Sequence, residues 1–248
     1  MLTKHLSQQE FSWDSMSKIK KGRDLKHWRS SKNAADSGKL RIIGGKFRGR
    51  QINYSGDPIT RPMKDDIREA IFNLVGGWVS DKVVFDLFSG TGAVGLEAIS
   101  RGASCGFLIE RHFPTVRTIK ENAALLDKDL PITVASSDTF FWCRKFFKNQ
   151  PDWPSGPWLV FFCPPYHFYV EREAEVLQLI ETFVEKAPDE SLFVVESNEK
   201  FDHKKLPPIE SPDPQADPAS NQWVTRQYSP AAVSVLKKNF PSDAVSGH

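Results

Sequence analysis

Between Val83 and Ser197, short apolar runs alternate with segments of helical period, and that alternation restricts the chain to a narrow set of folds. The runs are Val83 to Phe88, Cys105 to Glu110, Pro131 to Ala135, Trp158 to Cys163 and Ser191 to Ser197. The helical segments between them are Ala93 to Arg101, Thr115 to Leu126, Thr139 to about Lys148, and Glu171 to Lys186. Strands that are apolar throughout and separated by helices belong to a parallel sheet covered on both faces. The end of the chain departs from this rhythm. Trp223 to Tyr228 and Ala231 to Lys237 are separated only by Ser229 and Pro230, which predicts a hairpin, and the Pro-rich stretch before them (LPPIESPDPQADP) cannot be sheet interior. Five α/β units closed by a hairpin predict a seven-stranded Rossmann-like α/β sheet rather than a six-stranded parallel one.

Two segments precede the sheet. LRIIGGKFRGRQINY, from Leu40, mixes β-branched residues with Gly pairs and predicts a hairpin or short sheet carrying Arg41, Lys46, Arg48 and Arg50. TRPMKDDIREAIFNLVGG predicts a helix with Pro62 near its first turn, Ile67, Ile71, Leu74 and Val75 on one face, and Gly76 and Gly77 at its end. The expected layout is a flexible basic extension over 1–37, one domain over 38–240 and a tail over 241–248; within the domain the hairpin and helix fill 40–77 and the core sheet 82–238.

Charge is distributed unevenly between these parts. Residues 1–50 hold 13 Lys and Arg against 4 Asp and Glu, while the remainder holds 20 against 27. A basic arm on an acidic body suits a polyanionic partner, since cations that neutralise phosphates release condensed counterions. With 40% hydrophobic and 26% charged residues, the composition is that of an ordinary soluble protein. The apolar run Trp158 to Cys163 is too short to cross a bilayer, and MLTKHLSQQEFSWD lacks the apolar stretch of a secretion signal, so the cytoplasm is expected. Cys105, Cys143 and Cys163 match no zinc spacing, so no metal is expected.

Three motifs fall at the carboxyl ends of the expected strands. The first, FDLFSGTGAVG, holds Gly90, Gly92 and Gly95, glycines that let the backbone turn tightly beside a ligand with helix amides facing it. That spacing also fits the dinucleotide fingerprint. Asp86 separates the two readings, because a carboxylate four residues before Gly90 suits the ammonium or sulfonium of S-adenosylmethionine and would repel the pyrophosphate of NAD. The second motif is Glu110, twenty residues after Gly90, placed for the hydroxyls of a ribose. Asp138 is placed either to accept from an adenine amino group or to cap the next helix. The third motif, Cys163-Pro164-Pro165-Tyr166, must leave the sheet at the strand end, where the aromatic ring can stack on a base.

Taken together, RIIGGKFRGR, TRP…IREAIFNLV, DLFSGTGAVGLEAISRGA, LIER, PPY and VVES make the chain resemble the bacterial small-subunit (16S) rRNA guanine-N2 methyltransferase family, over about Leu40 to Lys237. The resemblance implies an S-adenosylmethionine-dependent enzyme modifying a guanine of small-subunit rRNA in an assembling subunit. It implies a cofactor site of Arg61, Asp86, Ser89, Gly90, Thr91, Gly92, Glu110, Arg111 and Asp138. Cys163, Pro164, Pro165 and Tyr166 form the catalytic turn, and Arg41, Lys46, Arg48 and Arg50 contact RNA. A monomer is expected. Two departures stand out: Cys163 takes the place of the family's Asp or Asn, and the basic extension is long. A thiol is a weak acceptor for an amino group, which keeps open an inactive RNA-binding assembly factor with the same fold, or a different base target. An NAD-dependent oxidoreductase is the third alternative.

Overall fold

The computed structural model describes residues 38–54, 56, 60, 62–148, 153–210, 212–217 and 219–242. The extension 1–37, Arg61 and residues 243–248 of the tail lie outside the described residues. In chain order the elements are β1 (Gly38–Arg41), β2 (Gln51–Tyr54), α1 (Asp65–Val75), β3 (Val83–Asp86), α2 (Ala93–Ser100), β4 (Cys105–Glu110) and α3 (Phe113–Leu126). They continue with β5 (Ile132–Ser136), α4 (Thr139–Lys148), β6 (Trp158–Phe162), α5 (Phe168–Glu171), α6 (Glu173–Lys186), β7 (Leu192–Asn198), β8 (Val224–Tyr228) and β9 (Ala231–Lys237).

β3 to β9 form one sheet in the order β5-β4-β3-β6-β7-β9-β8, and the short pair β1-β2 stands apart. The first five strands of the sheet in chain order are parallel; β9 pairs antiparallel with both β7 and β8. This is the seven-stranded Rossmann-like sheet expected from the apolar runs and the closing hairpin. From β3 the chain winds outward through β4 and β5, then returns to place β6 on the other side of β3. Such a reversal opens a crevice at the carboxyl ends of the strands.

Burial explains why the parallel strands read as continuous apolar runs. All of β3 and β6 is buried, so residues facing either way must be apolar. Val83, Phe85, Trp158, Val160, Phe162 and Phe193 point to the face covered by α4 and α6, where Phe85 stacks on Phe107 at 5.2 Å and Trp142 on Phe146 at 5.0 Å. Val84, Leu159, Phe161, Leu192 and Val194 point to the opposite face, under α1 and α2.

Two helices differ from expectation. The segment Glu171 to Lys186 is interrupted where Arg172 leaves helical dihedrals (φ −135°, ψ 29°), its guanidinium 4.0 Å from the Phe140 ring centre and bonded to Glu175. In α1, Ile67, Ile71 and Val75 are buried as expected, but Leu74 is only partly covered while Phe72 and Arg68 are fully buried. Arg68 lies inside because its guanidinium donates to Asp65 at 3.0 Å and to the Arg41 carbonyl at 2.7 Å and meets the buried Glu97 of α2 at 3.8 Å.

Glu97 also fastens the β1-β2 unit to the domain. Its carboxylate accepts from the amides of Ile43 and Gly44, each at 2.7 Å, and from Arg101 Nε at 2.8 Å. The approach is so close that a Cβ on Gly45, whose φ is 76°, would lie 1.9 Å from the Ser100 carbonyl oxygen.

Candidate active site

The loop after β3 is tied down by its own backbone before any ligand is considered. Ser89 N donates to the Ile109 carbonyl (3.0 Å), Gly92 N to the Ser89 carbonyl (2.7 Å), and Ser89 Oγ to the Asp86 carbonyl (2.7 Å). Thr139 Oγ1 donates to the Leu87 carbonyl from the neighbouring segment. Gly90 and Gly92 have φ of 51° and 76°, a conformation that favours glycine. Beyond this loop lies a cavity of about 540 Å³ at the carboxyl ends of the strands.

Of the residues expected in the site, Asp86, Ser89, Gly90, Thr91, Glu110, Arg111, Asp138, Cys163, Pro164, Pro165 and Tyr166 all line this cavity. Gly92 does not. Its lack of a side chain serves packing, since a Cβ there would lie 2.9 Å from Ile119. The basic residues of the hairpin are elsewhere. Lys46 pairs with Asp127 at 3.2 Å and Arg50 donates to the Leu125 carbonyl at 2.5 Å, both at the far end of α3. Thr115, near the start of that helix, is the residue that meets Thr60 of the cavity wall, so Arg50 sits about 15 Å further along the helix. Arg41 pairs with Asp65 at 3.5 Å, and Arg48 is exposed in the turn.

The carboxylates face the cavity but also hold the fold. Asp86 is 1% exposed and Oδ2 accepts from the Gly95 amide at 3.0 Å, in the first turn of α2. Burial pushes its carboxyl up to about 7, the Gly95 amide opposes this, and Glu110 adds to it. Glu110 accepts from the Gly90 amide (3.0 Å) and the His112 amide (2.7 Å) through separate oxygens. Asp138 accepts from the Phe141 amide at 3.0 Å, so it caps α4 as well as lining the cavity.

Strand register assembles the remaining wall. Asp86 of β3 is level with Phe161 of β6, which is level with Val194 of β7. Two residues further along the same face come Cys163 and Glu196. Burial pushes the Cys163 thiol well above its ordinary range, and Glu196 and Asp86 push it further. The Tyr166 hydroxyl donates to Glu196 Oε1, while the Tyr166 ring stays partly exposed.

A family model described as Conserved hypothetical protein 95 matches residues 40–208. The chain is 34% identical to the ribosomal RNA small subunit methyltransferase D of Escherichia coli over 165 residues, covering 66% of this chain and 78% of that one. To the protein of the same name from Buchnera aphidicola it is 32% identical over 129 residues, covering 52% of this chain and 64% of that one. The chain belongs to this family of bacterial small-subunit rRNA methyltransferases. It is also similar to a solved Escherichia coli protein assigned as a methyltransferase, with TM-score 0.58 and 26% identity over 82% of this chain and 99% of that one. The family match ends at residue 208, before β8 and β9, yet Tyr228 to Ala231 between those strands line the cavity. Part of the wall therefore comes from outside the family match.

The amino end of α1 (Met63, Lys64, Asp66 and Ile67) lines the cavity, as the resemblance implied in having the helix after Arg61 frame it, whereas the Tyr228–Ala231 turn and Glu196 were not anticipated there. The turn carries no local signal that would have placed it there. Glu196 does: a carboxylate closing the apolar run LFVV cannot be explained as a core residue. Among the described residues, no helix is long and apolar enough to cross a membrane, and no group of His, Cys, Asp and Glu could hold a metal.

Proposed function

We propose that the protein transfers a methyl group from S-adenosylmethionine to the 2-amino group of a guanine in small-subunit rRNA. The observation that carries this reading is one cavity shared by Asp86, Glu110, Asp138 and the Pro164-Pro165-Tyr166 turn. Its volume of about 540 Å³ is in the range of small-molecule sites. The donor set fits this cofactor. Asp86 meets the ammonium, Glu110 the ribose hydroxyls and Asp138 the adenine amino group, with Ser89, Gly90, Thr91 and Arg111 completing the wall and Gly92 shaping the loop; the family resemblance adds Arg61 as a cofactor-binding residue. Once ionised, Asp86 would repel a pyrophosphate, which weighs against NAD.

When bound, S-adenosylmethionine supplies a sulfonium methyl group, and its loss leaves a thioether. The protein's residues contribute placement. The Pro164 carbonyl accepts one hydrogen of the amino group, and the Tyr166 ring stacks on a base drawn out of its helix. The basic residues Arg41, Lys46, Arg48 and Arg50, away from the reacting base, contact RNA phosphates, and the basic extension 1–37 adds RNA affinity. The expected setting is a monomer acting on an assembling small subunit in the cytoplasm.

Cys163 favours a second reading, an assembly factor that binds RNA and cofactor without transferring methyl, because its partly buried, neutral thiol accepts hydrogen bonds weakly. Two measurements decide. Calorimetry should detect S-adenosylhomocysteine and not NAD; the reverse would end the methyltransferase reading. Small subunits lacking the modification, incubated with the protein and S-adenosylmethionine, should yield N2-methylguanosine on nucleoside mass spectrometry. Cofactor binding with no methylated nucleoside would favour the assembly factor, and a different methylated nucleoside would overturn guanine as the target.

A further inference from the structure

Glu196 has no part in the cofactor contacts above, yet it is buried in the same cavity. Parallel pairing sets Phe162 beside Val195, so the next position along puts Cys163 beside Glu196. The Glu196 backbone lies beside the Cys163 thiol, and the Tyr169 hydroxyl donates to the Glu196 carbonyl at 2.9 Å. The side chain is bonded through one oxygen only: Oε1 takes the Tyr166 hydroxyl. Among the described residues Oε2 has no hydrogen-bond partner, and it is not sealed inside protein either, so it opens on the cavity.

A carboxylate at the end of an apolar strand is costly unless donors reach it. Tyr166 is one donor, on Oε1. Among the described residues, the titratable groups that interact around Glu196 are Tyr166, Tyr169, Cys163 and, across β6, Asp86, none of them a cation. Oε2 therefore suits a neutral donor arriving from the cavity, and an amino group on a ring is such a donor. It lies at the strand end beside the turn that carries the stacking Tyr166.

We propose that Glu196 is the side-chain acceptor for the amino group of the target base, with Tyr166 on Oε1 and an amino hydrogen on Oε2. The proposal rests on guanine being the target. Glu196 then does what the neighbouring thiol does poorly. As the N–C bond forms and the sulfonium C–S bond breaks, the base nitrogen gains a positive charge. It returns to neutrality by losing one proton, which the Glu196 carboxylate takes. Burial holds the Glu196 carboxyl up to about 7, against the Tyr166 hydrogen bond that lowers it, so the group ionises within the working range of a proton acceptor.

Guanosine and inosine differ only by the 2-amino group, so the ratio of their affinities reads this contact. With the full chain saturated in S-adenosylhomocysteine, NMR titration should show guanosine binding about tenfold tighter than inosine, and Glu196→Met should bring the two within about twofold. Calorimetry should give the same S-adenosylhomocysteine affinity for both proteins, which shows that the variant is folded. Tyr166→Phe, which vacates Oε1 alone, should keep the ratio. Glu196→Gln keeps an acceptor but not a base. It should lower kcat on unmodified small subunits about a hundredfold and remove the rise in rate between about pH 6 and 8. A ratio retained in Glu196→Met, or a rate and pH profile retained in Glu196→Gln, overturns the role of Glu196 while leaving the methyltransferase reading intact. A wild-type ratio near one, with S-adenosylhomocysteine still bound, instead rejects guanine as the target and this proposal with it.

Discussion

Asp86 is held where charge is disfavoured, 1% exposed at the amino end of α2, and its carboxyl stays near neutrality up to about pH 7. To meet an ammonium group it must ionise. Affinity for S-adenosylhomocysteine should therefore fall as pH drops below about 7, with proton release on binding near that pH. Asp86→Asn keeps an oxygen for the Gly95 amide and removes the charge. It should weaken binding about tenfold or more at pH 8 and abolish the pH dependence. Calorimetry in buffers of different ionisation enthalpy measures both effects; unchanged affinity in Asp86→Asn would show that this carboxylate does not meet the ligand.

One buried acid, beside the hydrogen bonds with Ser100 and Asn122, fastens the β1-β2 unit. Glu97 accepts the amides of Ile43 and Gly44 and faces Arg68 and Arg101, with its own side chain and that of Arg68 fully buried. Glu97→Ala should cost about 3–5 kcal/mol of stability in urea unfolding, because it removes the buried anion beside Arg68, which keeps only the half-exposed Asp65 at 3.0 Å, and leaves the Ile43 and Gly44 amides without their acceptor. Limited proteolysis should then open the turn around residues 43–50, which carries Lys46, Arg48 and Arg50. A loss of stability below about 1 kcal/mol would mean that the apolar contacts of Ile42, Phe47 and Ile52 hold the unit without it.

Across the molecule, Asp86 and Glu196 bear on stability in the same direction. Both are raised to about 7 in the folded chain from ordinary values of 3.8 and 4.5. Between those limits the folded chain keeps protons that the unfolded chain has lost, so stability present below about pH 4 is progressively lost as pH rises towards 7. The thermal midpoint of the ligand-free protein should decline from pH 5 to about pH 8, and Asp86→Asn with Glu196→Gln should flatten the decline. A decline of equal slope in the double variant would assign it to other groups.

The five apolar runs and the closing hairpin were legible in the chain itself, because a parallel strand buried on both faces must be apolar at every position. The glycine loop, Glu110 and the Pro-Pro turn were equally legible, since each lies at a strand end and the fold sends all such ends to one rim. Arg68 and Leu74 were not, because a helical period assigns faces by hydrophobicity and cannot foresee that Glu97, on another helix, draws a guanidinium inside. Nor could the chain reveal that Glu196 stands beside Cys163 and Tyr166. Thirty residues separate Tyr166 from Glu196 in sequence, and only the register of β6 against β7 brings them together. Apolar pattern and turn chemistry are local and survive in a linear reading, whereas the partners of a buried charge are chosen by packing between distant elements.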